Sequence, residues 1–177
     1  DISIFSIHTA LDNSIKGVNM KLCGILGIDN PKILIPKPKT IKKLTTYIPK
    51  KDAENLRKKL FGVGAGAIGK YENCSFSFEG IGTFKGNENS NPTVGVKQKN
   101  TDAEEVCVNI TFLKHLEKIV LSSLKETHPY EEIAYELNTL ENVNENIGMG
   151  MVGEFKQAIS EKELFELIKT KLGSKFL

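Results

Sequence analysis

His8-Thr9-Ala10-Leu11-Asp12 sets an imidazole and a carboxylate four positions apart, directly after the alternating apolar run Ile2-Ser3-Ile4-Phe5-Ser6-Ile7. The alternation predicts a strand, and strand mouths in α/β folds are where ligands usually bind. An aspartate there can ligate a metal or act as a base. A histidine can ligate, shuttle a proton or orient a neighbour. The ordinary reading of the same residues is a packed histidine and an aspartate opening the turn Asp12-Asn13-Ser14, and spacing alone favours it. A second cluster, His128-Pro129-Tyr130-Glu131-Glu132, gathers an imidazole, a phenol and two carboxylates at a helix-to-strand turn. Metal or ligand binding there competes with a proline-terminated helix beside a solvated edge strand, which the composition favours.

The remaining reactive types are weaker candidates. Cys23, Cys74 and Cys107 are odd in number and far apart, so they form neither a disulfide framework nor a zinc spacing and are expected as free thiols. Cys23 falls on a helical stripe and reads as core; no base adjoins Cys74 in sequence to activate it. His115, beside Lys114, is expected to be exposed. Gly64-Ala65-Gly66-Ala67-Ile68-Gly69 and Gly148-Met149-Gly150-Met151-Val152-Gly153 both match G-x-G-x-x-G. A dinucleotide fingerprint needs a strand before it and a helix directly after it. The first follows a helix and precedes a strand, and the second leads into a strand. Tight turns and close backbone packing account for both. Lys37 to Lys59 carries nine Lys/Arg against Asp52 and Glu54, a local charge of +7, whereas Glu131 to Asn146 holds five Glu and no basic residue. A solvated face is the commonest meaning of such runs. Nucleic-acid binding is disfavoured by the scarcity of aromatics to stack bases, and the two patches can also complement each other between subunits.

The elements that would position these groups follow from periodicity. Val18, Leu22, Ile25 and Leu26 form a helical stripe closed by Gly27. Ile33-Leu34-Ile35 is followed by Pro36-Lys37-Pro38-Lys39, which reads as a domain boundary. From Lys42 to Leu140 a strand–helix–strand pattern runs twice. Lys43–Pro49, a helix with Ala53, Leu56, Leu60 and Val63 on one face, and a strand from Ile68 to Phe78 make the first pass. Val106–Phe112, a helix carrying Leu116, Ile119, Val120 and Leu124, and Ile133–Leu137 make the second. This double βαβ pattern predicts a ferredoxin-like sandwich. Lys85 to Asn100 is a long loop or an ordered lid. Gly148–Phe155 reads as a strand with a glycine entrance. Ser160-Glu161-Lys162-Glu163 is a capping box opening a helix with Leu164, Leu167, Ile168 and Leu172, stopped by Gly173. The fold class expected is α/β (α+β): a partial α/β core, residues 1–40 and 145–177, interrupted by an inserted ferredoxin-like domain, 41–144.

The totals agree with a globular protein: 177 residues, 40% hydrophobic, 26% charged, net charge +2. No apolar run approaches the ~20 residues of a membrane span and no signal peptide opens the chain, so a cytoplasmic location is expected. The chain begins inside strand-like alternation and stops just after a helix, as a segment of a longer protein would.

Together these motifs resemble the dinuclear-metal-centre hexameric proteins named for the NGG-interacting factor three, often labelled GTP cyclohydrolase I type 2 homologues, in the longer bacterial form. His8-Thr9-Ala10-Leu11-Asp12 with Gly17-Val18-Asn19 looks like the family's H-T-x-L-D…G-V-N segment. Gly66–Phe76, Gly80–Phe84, Asn91-Pro92 and His128–Glu132 look like its inserted domain, which is similar to PII and CutA-like folds. The resemblance implies that Asp12 is a metal ligand and that His8 lines the site from behind the ligands. It implies two divalent metal ions (zinc, iron or manganese) and a homohexamer whose insert forms trimers. It further implies hydrolysis of a small-molecule substrate; the sequence itself makes neither a membrane nor a nucleic acid an expected partner. The family's remaining ligands, a His-His pair and a His…Glu pair, have no counterpart among His8, His115 and His128, so they are expected outside this segment. Met151 stands where the family usually carries Arg. The rival reading is a regulatory module whose insert senses a ligand or recruits a partner without catalysis.

Overall fold

The computed structural model describes residues 2–176, which fall into two compact units. The first comprises the residues up to Pro38 together with those from Val143 onward; the second spans Lys39–Asn142.

In the first unit, helix α1 (Val18–Leu26) ends at Gly27, whose left-handed backbone (φ 73°) lets its N–H bond the Cys23 carbonyl. Strand β1 (Asp29–Pro36) pairs antiparallel with β6 (Gly148–Glu154), Ile33 opposite Met151 and Pro36 opposite Gly148. The glycines of the second G-x-G-x-x-G match serve this pairing. A Cβ on Gly148 would overlap the Ile35 carbonyl oxygen, and one on Gly153 would press on the Asp29 carbonyl oxygen. Helix α4 (Glu161–Leu172) opens on the expected capping box, with the Glu163 N–H donating to the Ser160 hydroxyl and the Glu163 carboxylate accepting from the Ser160 N–H at 2.7 Å. The run Ile2–Ile7 is not a strand. Ile4 and Phe5 are 95% and 87% exposed, and no strand among the described residues pairs with the run. Alternation alone does not make a strand, because its backbone groups need a ladder partner.

The second unit is the ferredoxin-like sandwich. Strands β2 (Ile41–Pro49), β3 (Phe76–Lys85), β4 (Asn100–Leu113) and β5 (Tyr135–Leu140) form one antiparallel sheet in the order β3-β4-β2-β5. Helices α2 (Ala53–Gly62) and α3 (Glu117–Thr127) supply Leu56, Leu60, Val120 and Leu124 to a core shared with Leu44, Ile48, Val106, Val108, Ile110 and Phe112. These strand residues alternate, so one sheet face carries the helices. The other carries Thr45 and Tyr47 of β2, Glu105, Cys107 and Asn109 of β4, and Phe76 and Phe78 of β3.

Several boundaries differ from expectation: β3 runs on past Phe78 to Lys85, and β4 begins at Asn100, well ahead of Val106. The strand predicted from Ile68 begins only at Phe76. Positive φ at Gly66, Gly69 and Asn73 coils the preceding segment, which is pinned by the Gly66 N–H to the Thr111 carbonyl at 2.7 Å and the Cys74 N–H to the Gly66 carbonyl at 2.8 Å. The last strand begins at Tyr135 rather than Ile133. Ile133 packs on the core instead, while the Ala134 carbonyl accepts the Thr46 hydroxyl at 2.9 Å. His115 lies in a 3-10 turn ahead of α3, exposed as expected. The basic run is partly neutralised within the unit, with Lys42 on Glu117 at 2.7 Å and Lys50 on Glu79 at 2.6 Å. No helix among the described residues is long and apolar enough to cross a membrane.

Candidate functional site

His8 sits in a 3-10 turn, His8–Ala10, with a left-handed φ of 46°, a conformation that costs a non-glycine residue free energy. Its ring nitrogen Nδ1 is 3.4 Å from the Thr9 hydroxyl, and the ring is exposed. Asp12 is half-buried in the turn that follows. The turn is held from three sides. The Asn13 side chain donates to the Thr9 carbonyl at 2.8 Å, the Asn19 amide donates to the Asp12 carbonyl at 2.9 Å, and Gly17 lets the α1 entrance pass so close to Leu11 that a Cβ would overlap its carbonyl oxygen. The Gly148 N–H on the Asn13 carbonyl, at 2.9 Å, ties the turn to the start of β6. The backbone of Asp12 is therefore fixed while its carboxylate has no hydrogen-bond partner among the described residues. Gly17 and Asn19, which sequence spacing marks only as part of a motif, are the groups that fix it.

One carboxylate and one imidazole do not complete a metal site. Among the described residues no group of three or more His, Cys, Asp and Glu is placed to hold an ion. The free cysteines do not contribute: Cys23 and Cys107 are buried, and Cys74 is half-buried.

The His128–Glu132 segment is more structured than a solvated edge. Its histidine is buried at the end of α3, with Nε2 3.0 Å from the Tyr47 carbonyl and Nδ1 3.2 Å from the Tyr130 N–H. A carbonyl only accepts and an N–H only donates, so both contacts are met by the neutral ring protonated on Nε2. Tyr130 donates its hydroxyl to Glu105 at 2.7 Å. Burial and the adjoining Glu105 carboxylate push the Tyr130 phenol far above its ordinary value, so it stays protonated. The loop between β3 and β4 is ordered onto this segment. The Asn91 N–H donates to Glu131 at 2.7 Å, and the Thr93 hydroxyl to the Pro129 carbonyl at 2.9 Å. Beside Tyr130 and Glu105 lies a pocket of about 410 Å³, walled by Tyr47, Phe78, Ile81 and Cys107. Glu105, Tyr47 and Cys107 carry no sequence signal as site residues, since only strand register brings them together.

Burial lowers the pKa of His128 below its ordinary 6.5, against the opposing pull of the Tyr47 carbonyl and the Glu105 and Asp52 charges. The folded chain then binds fewer protons than the unfolded one, so the stability His128 contributes is present above pH 6.5 and is lost as pH falls below it. His128→Gln, which keeps a donor for Tyr47, should make the urea midpoint less sensitive to a drop from pH 7.5 to 5.0. An unchanged pH sensitivity would rule His128 out as its source.

The chain matches the family described as Duf34/NIF3 (NGG1p interacting factor 3) over residues 1–177. It belongs to that family. The GTP cyclohydrolase 1 type 2 homologue of Bacillus subtilis is 37% identical over 173 residues, 97% of this chain and 46% of that protein. The homologue of the same name from Listeria innocua is 36% identical over 172 residues, 96% of this chain and again 46% of that protein. The crystal structure of a Bacillus cereus protein related to NIF3 superposes with a TM-score of 0.78 at 33% identity, covering 93% of this chain and 43% of that one. The chain thus spans less than half the length of these Duf34/NIF3 relatives, which bears on what its own residues can assemble.

Proposed function

We propose that this chain is part of a metal-binding, hydrolase-like protein in which Asp12 supplies a ligand and His8 lines the site. The observation that carries the reading is the Asp12 turn. Three backbone restraints fix it, yet its carboxylate is left unsatisfied among the described residues, as a preorganised ligand should be. The missing donors would come from sequence beyond this chain, which is consistent with its covering 46% of its B. subtilis relative. Carboxylate and imidazole donors suit zinc, iron or manganese. A pair of such ions, when bound, supplies Lewis acidity for hydrolysis of a small molecule. The homohexamer, with the ferredoxin-like unit as a trimer-forming element that restricts access, belongs to the same proposal, as does a cytoplasmic location.

The test is elemental analysis after gel filtration of a protein of the relatives' full length containing this chain. About two metals per subunit are expected, falling below about one with Asp12→Ala. Unchanged stoichiometry in the variant would sink the assignment.

A further inference from the structure

Three features of the second unit converge on one place. Phe78, Gly80 and Gly82 follow one another on the same face of β3, opposite Cys107, Glu105 and Ala103 of β4. Two successive positions on that face therefore lack side chains: the Glu105 carboxylate lies where a Gly82 side chain would be, the place of a Gly80 side chain is open, and both glycines line a pocket of about 410 Å³. Tyr47 continues the Phe78–Cys107 row onto β2, so the walls are aromatic on two sides, and the Tyr130 ring closes a third.

The one charged side chain lining the pocket is the Glu105 carboxylate. The one hydrogen of the Tyr130 hydroxyl is spent on Glu105 Oε1, leaving the second carboxylate oxygen, which lies against Gly82. Burial keeps the Cys107 thiol protonated, and it already takes the Asn109 amide at 3.5 Å. No Lys or Arg lines the pocket. The nearby Lys50 is held on Glu79.

We propose that this pocket binds a small organic cation: an ammonium group directed at Glu105, carried on a flat apolar body that packs between Tyr47 and Phe78. A carboxylate in a pocket also walled by Tyr47, Phe78 and Tyr130 is an environment that attracts a desolvated ammonium, through charge and cation–π contact together. A divalent metal is a poor occupant, since calcium or magnesium takes about six or more oxygen ligands and zinc about four N, S or O donors, whereas the pocket offers one free carboxylate oxygen and a protonated thiol. A guanidinium, which prefers both oxygens of a carboxylate, finds one already taken by Tyr130. The pocket shares no residue with the Asp12 turn, and its fate does not depend on the metal proposal.

The test is a titration of the ¹⁵N-labelled 177-residue chain with 2-phenylethylammonium, followed by amide shifts, with phenylacetate as the anionic control. Saturable shifts at Gly80, Gly82 and Cys107 are expected for the ammonium alone. Glu105→Gln should weaken binding by about tenfold or more. Gly80→Val places an apolar side chain into the pocket at a position where an added Cβ meets nothing within 4 Å, and so narrows it; an unchanged amide spectrum away from the pocket checks that the fold is kept. Binding by this variant should be lost. Equal binding of phenylacetate, absence of saturable shifts, or undiminished binding by Gly80→Val would each overturn the proposal.

Discussion

Phe112→Ala is expected to destabilise the ferredoxin-like unit by about 3–5 kcal/mol, as a lower urea midpoint of the whole chain. Phe112 is 2% exposed and among the largest fully buried side chains. It belongs to the cluster in which β2 and β4 meet Leu56 and Leu60 of α2 and Val120 and Leu124 of α3. Truncation removes a whole ring from a place the backbone cannot close, because Phe112 is paired with Lys42 of β2 and the neighbouring Thr111 carbonyl is held by the Gly66 N–H. The cost is then transfer plus cavity, with little relaxation. Its neighbour Leu113 points to the other face and is half-buried. Leu113→Ala should cost about 1 kcal/mol. Similar losses for the two variants would mean that the alternation does not divide the sheet into a packed and an unpacked face.

The same alternation is what made most of this unit legible from sequence. Val106, Val108, Ile110 and Phe112 repeat every second residue, and Leu56 and Leu60 every fourth, so each element declares its period within its own residues. Helix ends were equally local: the Ser160–Glu163 box and the Gly27 and Gly173 stops are each decided by a few neighbouring groups. What failed was whatever depends on a partner. Ile2–Ile7 has strand alternation but no ladder partner among the described residues. The segment before Phe76 has strand-like composition, yet the Thr111 carbonyl and three left-handed residues coil it. The pocket was invisible for the same reason. Glu105 carries no signal in the sequence, because only pairing sets it between Gly80 on one side and Pro49 on the other. His128 was underestimated because its two ring contacts come from Tyr47, far away in sequence, and from the backbone of Tyr130. Of the candidate site, the motif around Asp12 was readable, but the restraints that immobilise it were not.

Those restraints give the second large effect. Gly17→Ala should abolish metal retention in a protein of the relatives' length as fully as Asp12→Ala does, although it removes no donor atom. The Gly17 backbone is extended, at φ −85° and ψ −158°, so the glycine is needed for space and not for its dihedral freedom. An added Cβ would overlap the Leu11 carbonyl oxygen and lie 3.0 Å from that of Ser14. Both are backbone atoms of the turn that presents Asp12, and no side chain can rotate out of the way. The turn must move, and with it the Asn19 contact on the Asp12 carbonyl. A shift of about 1 Å is enough to spoil a preorganised ligand. Gly24→Ala in the same helix is the matched control, because its Cβ meets nothing within 4 Å. There the better helix former should stabilise by about 0.5–1 kcal/mol and leave metal content intact. Retention of metal by Gly17→Ala would show that the Asp12 turn tolerates displacement, and the fixed geometry would then lose its place in the argument for a ligand.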